Sequence, residues 1–306
     1  MMALSSSADI LIGGGAAGVG KTFTLLLEPL RNVNIENFGA VFFRRTTPQI
    51  KSEGGLWDAS MKLYNLVAGS KARESSYEWN FNKKAKVKFS HLEYEKNKYD
   101  WQGSEIPLIC FDELTHFTQS MFFYLLSRNR STCGVKPYVR ATCNPDPDSW
   151  VAEFISWWID EETGFPIPER QGKLRYFVRD GEAFIWGDTK AEVIEKAKHY
   201  LEPLLEGSEG LTTYDDYIKS VTFVGGSIYD NKELLKVNPE YLGNLASQSE
   251  DEKRRLLDGN WKVVINPLDV YEYNAFRDTF KNDFVDEGDK RITVDVALGG
   301  IDKLIV

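Results

Sequence analysis

Cysteine and histidine are scarce in this sequence of 306 residues, which contains three of each. The cysteines, Cys110, Cys133 and Cys143, are odd in number and form no C-x-x-C pair. A structural zinc site is therefore not expected, and the thiols suit a reducing cytosol. A chain of this length can bury a hydrophobic core that needs no covalent staples.

Long apolar runs and an excess of positive charge are also missing. No run approaches the roughly 18 residues of a transmembrane helix, and no basic-then-apolar leader opens the chain. We therefore expect a protein that is neither secreted nor membrane-spanning. The net charge of −9 argues against a surface coated in basic residues for indiscriminate nucleic-acid binding. A local basic patch, or a channel built from several subunits, remains compatible with it.

The most informative stretch runs from Gly13 to Thr22, GGGAAGVGKT. It follows the apolar run 10–12 and precedes a helical pattern at 23–27, so it has a strand–loop–helix context. Within it lies the phosphate-binding pattern G-x-x-x-x-G-K-[ST], in which glycines let backbone N–H groups turn towards an anion. The alternative is a glycine-rich turn before a helix. The predicted nucleotide-binding loop comprises Gly15, Ala16, Ala17, Gly18, Val19, Gly20, Lys21 and Thr22, with Lys21 on the β- and γ-phosphates and the Thr22 hydroxyl on Mg²⁺.

Polar side chains follow two other predicted strands of the core. The apolar run 106–111 ends in Asp112 and Glu113, and the strand 138–143 ends in Asn144. Apolar strands separated by helical segments indicate a mostly parallel sheet covered on both faces, so these strand ends should converge with the glycine loop. Asp112 would hold Mg²⁺, Glu113 would activate water, and Asn144 would sense the γ-phosphate. Alternatively, the acidic pair caps the next helix and Asn144 begins an Asn-Pro turn.

Charge that develops on a transferred phosphoryl group usually requires an arginine. Arg44 and Arg45 follow the predicted strand 39–44, and Arg128 and Arg130 follow the acidic strand, where they could reach a neighbouring subunit. For any one of these four arginines, a surface salt bridge is the more common role.

Secondary elements outside these motifs can also be predicted. A helix is expected at 57–67, and a hairpin at 77–89 turns at Asn82-Lys83. Lys84, Lys86 and Lys88 then share one face, which is either simply solvated or a DNA contact. A second hairpin at 173–186 turns at Asp180-Gly181, and a helix at 190–201 should stop at Pro203. A capping box at 249–252 begins a helix that ends at Gly259.

The ordered set of motifs resembles the ATPase half of large terminase subunits, the DNA-packaging motors of tailed bacteriophages. The resemblance is carried by GGGAAGVGKT, FFRRT, YDWQG, ICFDELTHF, LLSRNRS and RATCNPDPDSW, and continues through KSVTFVGGSIYDNKELL, NPEYLGNL and RRLLDGNW. It implies an α/β P-loop NTPase fold (RecA/ASCE-like) with a mostly parallel sheet, helices on both faces and a small lid or linker subdomain around 220–261. It also implies ATP and Mg²⁺ as cofactors, with Arg128 or Arg130 as a finger acting across subunits.

The same resemblance implies partners and a division of the chain. The partners would be double-stranded DNA, a portal protein on the procapsid, a small terminase subunit and further copies of the chain in a ring. The protein would be phage-encoded, soluble and located in the host cytoplasm. Residues 1–165 would form the P-loop ATPase core, 166–265 the rest of that domain with its lid, and 266–290 a linker. Residues 291–306 resemble the first strand of an RNase H-like nuclease, with Asp295 at its first metal position. One strand cannot build a two-metal site, so we expect no nuclease activity.

Three other functions are compatible with parts of the pattern. A helicase- or recombinase-like ATPase would share the sheet but needs a second motor domain or a strand-exchange loop, and neither is evident. A nucleotide-gated scaffold would bind ATP and assemble without turnover. A DNA endonuclease would need most of a metal site that this chain lacks.

Overall fold

The computed structural model describes residues 2–262, which lie within one compact unit, Met1–Val263. The predicted linker at 266–290, the strand at 291–296 and Asp295 fall outside the described residues. Their assignments therefore stay predictions.

A ten-stranded sheet forms the centre of this unit. Its strands are β1 (Ile10–Gly15), β2 (Gly39–Arg44), β3 (Lys71–Arg73), β4 (Glu78–Asn80), β5 (Lys86–His91), β6 (Leu108–Asp112), β7 (Tyr138–Cys143), β8 (Arg175–Asp180), β9 (Ala183–Gly187) and β10 (Lys219–Gly226). They lie in the order β3-β4-β5-β2-β6-β7-β1-β10-β8-β9. The six central strands, from β5 to β10, are parallel, and the pairs at both edges are antiparallel. The predicted mostly parallel α/β sheet is confirmed.

Helices cover both faces of the sheet. They are α1 (Lys21–Leu27), α2 (Thr47–Lys51), α3 (Leu56–Tyr64), α4 (Gln119–Leu126), α5 (Trp150–Phe154), α6 (Lys190–Lys196), α7 (Lys198–Gly207), α8 (Tyr214–Tyr217), α9 (Lys232–Val237), α10 (Glu240–Ala246) and α11 (Glu250–Leu256). On one face α1 and α3 bury Leu26, Trp57 and Tyr64, and on the other α4 packs Phe122. None of the helices within residues 2–262 is long and apolar enough to cross a bilayer.

Side chains alternate between the two faces along each strand, so the sheet has an apolar core on each face. In β2, Phe42 faces one helical layer and Phe43 faces the other, and both are fully buried. All five residues of β6 are buried, as expected for a strand covered on both faces. Because β2, β6, β7 and β1 run in the same direction, their carboxyl ends meet at one edge of the sheet.

Helices that follow β10 pack on the glycine loop. Leu245 and Leu257 pack with Ala16 in a separate apolar cluster. The first residues of the predicted lid or linker segment around 220–261 form a central strand, Lys219–Gly226, paired in parallel with β1. The assignment of that segment as a lid or linker stays a prediction.

Two local predictions in the middle of the chain are wrong. Pro203 does not end a helix: the helix breaks at Ala197, and Pro203 lies inside α7. Pro203 is exposed, so water can solvate the carbonyl that a prolyl nitrogen cannot satisfy, while buried Leu201 holds the helix against the sheet. The second hairpin turns at residues 181–182 rather than at Asp180-Gly181, since Asp180 still pairs with Ala183.

Candidate functional site

The glycine loop links β1 to α1 at the carboxyl edge of the sheet. A Cβ at Gly15 would lie 2.3 Å from the Gly226 carbonyl oxygen, so only glycine allows β1 and β10 to approach this closely. Gly20, which precedes α1, has φ of +90°, a left-handed conformation that favours glycine. The amides of Ala16 and Ala17 donate to the carbonyls of Gly226 and Leu256. These bonds fix the start of the loop.

The next three amides of the loop, at 18–20, donate to no backbone carbonyl within the described part of the chain. Lys21, the first residue of α1, turns its side chain back over the loop. Its Nζ donates to the carbonyls of Gly15 (2.9 Å) and Ala16 (2.7 Å) and to Asn144 Oδ1 (2.8 Å). Burial lowers the pKa of the Lys21 ammonium, and the carboxylates of Glu113 and Asp112 oppose that shift. The arrangement keeps an ammonium group and free N–H donors around one small space.

Asp112 ends β6 and is 1% exposed. Its Oδ1 accepts hydrogen bonds from the hydroxyls of Thr142 (2.8 Å) and Thr22 (3.4 Å). Its Oδ2 lies 2.8 Å from Nε of Arg44, in an ion pair. Neither atom completes a hydrogen bond, so the contact is one of charge and Oδ2 is a buried oxygen without a donor. A buried, orphaned carboxylate oxygen beside a threonine hydroxyl fits a hard cation such as Mg²⁺.

Within residues 2–262 no three His, Cys, Asp or Glu side chains gather as a self-sufficient metal site. A cation at Asp112 would therefore depend on oxygen ligands from a bound phosphate chain and from water, as Mg²⁺ commonly does.

Glu113 follows directly, in a left-handed conformation (φ +61°, ψ +62°) that is uncommon outside glycine and asparagine. This turn directs its carboxylate towards Asn144, which donates from its backbone N (3.0 Å to Oε2) and from Nδ2 (3.1 Å to either oxygen). Asn144 thus links Glu113 to Lys21. Backbone strain of this kind concentrates at functional positions.

The four predicted arginines are not together. Arg44 contacts Asp112, whereas Arg45 directs its guanidinium to Sδ of Met121 (2.9 Å) and away from the loop. The backbone carbonyl of Arg128 accepts from Ile106 N, and the Arg130 side chain donates to the carbonyls of Gly103 and Ser104. These partners precede β6, so both arginines lie at the opposite edge of the sheet from Asp112. They do not reach the glycine loop of their own chain.

Thr142 is absent from the site residues that the sequence predicts. Its hydroxyl makes the shorter of the two hydroxyl contacts with Asp112. Threonine is common in β-strands, so its presence in an apolar strand does not mark Thr142 as a site residue. The strand register does mark it, because Thr142 lies opposite Asp112 on the neighbouring strand.

Replacing Thr142 by Val should destabilise the protein by about 1.5–3 kcal/mol, because a buried carboxylate loses a hydrogen bond. The free energy of unfolding in urea measures this. Thr142→Ser keeps the hydroxyl and should lie much closer to wild type. Equal losses in the two variants would show that the methyl group, rather than the hydrogen bond, matters.

A cavity of about 480 Å³ opens beside the loop. Its walls combine the apolar side chains of Val19, Leu25 and Val224 with the polar side chain of Gln171 and with four charged residues, Lys21, Glu28, Arg140 and Asp230. The Gln171 Oε1 accepts from Gly225 N, which leaves its amide hydrogens available. Burial raises the pKa of the nearby Cys143 thiol, with Glu113 adding to the effect, so that thiol stays neutral.

Comparisons with solved structures agree with this fold. The large terminase of a thermophilic bacteriophage is similar at 14% identity with a TM-score of 0.51, covering 88% of this chain and 52% of that one. A second structure of that terminase, in complex with ADP, has the same TM-score and identity, covering 85% of this chain and 50% of the other. The chain thus spans about half the length of the solved terminase. No curated protein matches it.

The sequence itself gives the family. Residues 12–277 match the family described as "Terminase large subunit, T4likevirus-type, N-terminal", which covers most of the chain and all the residues of the site. Such coverage, with the P-loop NTPase sheet around it, means that this chain belongs to the large terminase subunit family of DNA-packaging proteins.

Proposed function

We propose that the chain is the ATP-hydrolysing motor module of a phage large terminase, which couples Mg-ATP hydrolysis to movement of double-stranded DNA into a procapsid. One observation carries the proposal. Three separate stretches of sequence meet at one edge of the sheet: Lys21 contacts Asn144, Asn144 contacts Glu113, and Thr22, next to Lys21, contacts Asp112. ADP bound to a terminase of similar fold supports a nucleotide as the ligand.

The chain's own residues can hold Mg-ATP. Lys21 is positioned to exchange its carbonyl partners for phosphate oxygens, and the free amides at 18–20 provide further donors. Thr22 and Asp112 would hold Mg²⁺, which neutralises charge on the phosphates. The neighbouring cavity offers Val19, Leu25 and Val224 as apolar contacts for a nucleobase, among polar and charged side chains.

Glu113 would take a proton from the attacking water, because it is a carboxylate fixed beside the phosphate position. Asn144 positions that carboxylate and also contacts Lys21, so it can report the state of the phosphates to Glu113. Arg44 is the one predicted arginine within reach of the site in the same chain. Arg128 and Arg130, at the far edge, remain candidates only for a site on a neighbouring copy.

Family membership supports the wider assembly. In it, the chain would form a ring of copies on a portal protein, receive DNA with a small terminase subunit, and act in the host cytoplasm. A nuclease role for Asp295 is not proposed.

Lys21→Ala tests the nucleotide site. The variant should bind Mg-ATP about 10–100-fold more weakly, the loss expected for one or two charge-assisted hydrogen bonds. Titration with a fluorescent ATP analogue gives the dissociation constant, and phosphate release gives the turnover. Lys62→Ala, which removes an exposed lysine on α3, is the matched control and should behave as wild type.

Two outcomes would contradict the proposal. Unchanged affinity in Lys21→Ala would place the nucleotide elsewhere. Tight binding with no phosphate release above that of Glu113→Ala would favour the nucleotide-gated scaffold.

A further inference from the structure

The three edge strands β3, β4 and β5 carry an unusual concentration of basic residues. Residues 71–88 include six basic and only two acidic side chains, in a chain whose net charge is −9. The basic ones are Lys71, Arg73, Lys83, Lys84, Lys86 and Lys88. All six are exposed. None of them forms an ion pair with another described residue.

Strand register places four of these six charges on one surface. Lys71 is opposite Asn80, which is opposite Lys86, and Arg73 is opposite Glu78, which is opposite Lys88. Directly paired residues project from the same side of a sheet. The six paired residues just named, four basic, one acidic and one amide, therefore share a face. Trp79 and Val87 project from the other side into the core. We call the outward side the lysine face: Lys71, Arg73, Glu78, Asn80, Lys86 and Lys88.

The turn that joins β4 to β5 extends the lysine face. Lys83 and Lys84 have φ of +55° and +60°, so two successive residues with side chains adopt the left-handed conformation. Asparagine and glycine are the residues that such a turn favours. A left-handed conformation destabilises the fold at each residue of another type. Lysines at both positions therefore lower the conformational stability of the turn, which points to a role for their charge.

We propose that the lysine face and its turn contact the phosphate backbone of double-stranded DNA. This inference rests on the proposed function, which supplies the duplex as substrate. All six members of the face are polar or charged and repeat at alternate strand positions, which suits a uniform polyanion better than a folded acidic protein. The Lys88 ammonium also lies 5.4 Å from the ring centroid of Trp101. Alternate residues on β5 are about 6.6 Å apart, close to the axial advance of two phosphates on one strand of duplex DNA.

The position of β5 gives such a contact a route to the nucleotide. β5 runs parallel to β2, and His91 at its end lies opposite Arg44. Arg44 in turn pairs with Asp112. A force that bound DNA exerts on Lys86 and Lys88 would therefore act on β5, a strand that ends at the carboxyl edge of the sheet, beside Arg44.

Duplex binding by the full chain tests the inference. Two variants remove charge: Lys86→Gln/Lys88→Gln on the face, and Lys83→Asn/Lys84→Gly in the turn, where the new residues suit the backbone. Lys62→Gln/Lys232→Gln removes the same charge from exposed positions elsewhere and is the control. Fluorescence anisotropy with a labelled duplex about three turns long is measured over a range of salt concentrations.

Each double variant should bind the duplex at least about tenfold more weakly at low salt. The slope of log K against log salt should fall by about 0.9 for each phosphate that the protein no longer neutralises. The control should change neither quantity appreciably. Basal ATP hydrolysis should be unchanged in all variants, since none of these residues touches the site.

Equal affinity of face variants and control for DNA would overturn the inference, as would undetectable binding by wild type. Loss of binding to poly-glutamate but not to the duplex would assign the face to an acidic protein instead. Failure of the proposed function is distinguishable, because it appears as absent ATP hydrolysis in the wild-type chain whatever the duplex measurement gives.

Discussion

Replacing Glu113 by Gln is expected to lower kcat for ATP hydrolysis about 10²–10⁴-fold, the contribution typical of a positioned general base. Glutamine keeps the shape of the side chain and can still contact Asn144, but it cannot accept a proton from water. Affinity for Mg-ATP should stay within a few-fold of wild type, because Lys21, Thr22 and Asp112 are untouched. Phosphate release at saturating ATP measures kcat, and nucleotide titration measures the affinity.

Glu93→Gln is the control for this result. Glu93 is an exposed glutamate that follows β5, and its substitution should leave kcat unchanged. If Glu113→Gln hydrolysed ATP at the wild-type rate, Glu113 would be a structural residue of the turn and the base would have to be sought elsewhere.

Replacing Arg44 by Ala is expected to lower the free energy of unfolding by about 3 kcal/mol in the absence of nucleotide, because it leaves a buried carboxylate without its cation. Asp112 is 1% exposed, and Oδ2 has no hydrogen-bond donor to substitute for the guanidinium. Urea unfolding gives the difference. Mg-ATP should recover more stability in the variant than in wild type, since a cation then meets an unpaired charge at Asp112.

Two further variants test whether the loss of stability comes from the broken ion pair or simply from removal of an arginine side chain. Arg44→Ala/Asp112→Asn removes both charges and should be more stable than Arg44→Ala alone, because no charge is left buried without a partner. Arg45→Ala removes the neighbouring arginine, which contacts Met121 rather than a carboxylate, and should cost less. A single Arg44→Ala variant as stable as Arg45→Ala would mean that the ion pair contributes nothing measurable.

The parts of the fold around the site that the sequence predicts correctly are those with local signals. The strands Gly39–Arg44 and Tyr138–Cys143 have the predicted bounds, because β-branched and aromatic runs are bounded by polar residues and turns. α1 ends at Leu27, before a short 3₁₀ turn that contains Pro29, because proline disfavours continuation of an α-helix. Asp112 and Asn144 come together because parallel strands share a carboxyl edge.

The parts that the sequence does not reveal depend on contacts between distant residues. The Asn129 side chain donates to the carbonyls of Ile106, Pro107 and Tyr138, and so fixes the segment of Arg128 and Arg130 at the far edge of the sheet. No local pattern around Asn129 reveals those partners. The helix break at Ala197 likewise reflects packing against β8 and β9, which outweighs the usual effect of Pro203.

The glycine loop is complete in sequence by residue 22, yet its neighbours come from the other end of the described chain. β1 pairs with β10, the Asn231 side chain donates to the Gly18 carbonyl, and Leu256 accepts from Ala17. During synthesis, a ribosome must therefore translate more than two hundred further codons before these supports exist. The earliest motif to leave the ribosome is thus among the last parts of the domain to take its final form, and the native loop cannot be complete until translation has passed Leu256.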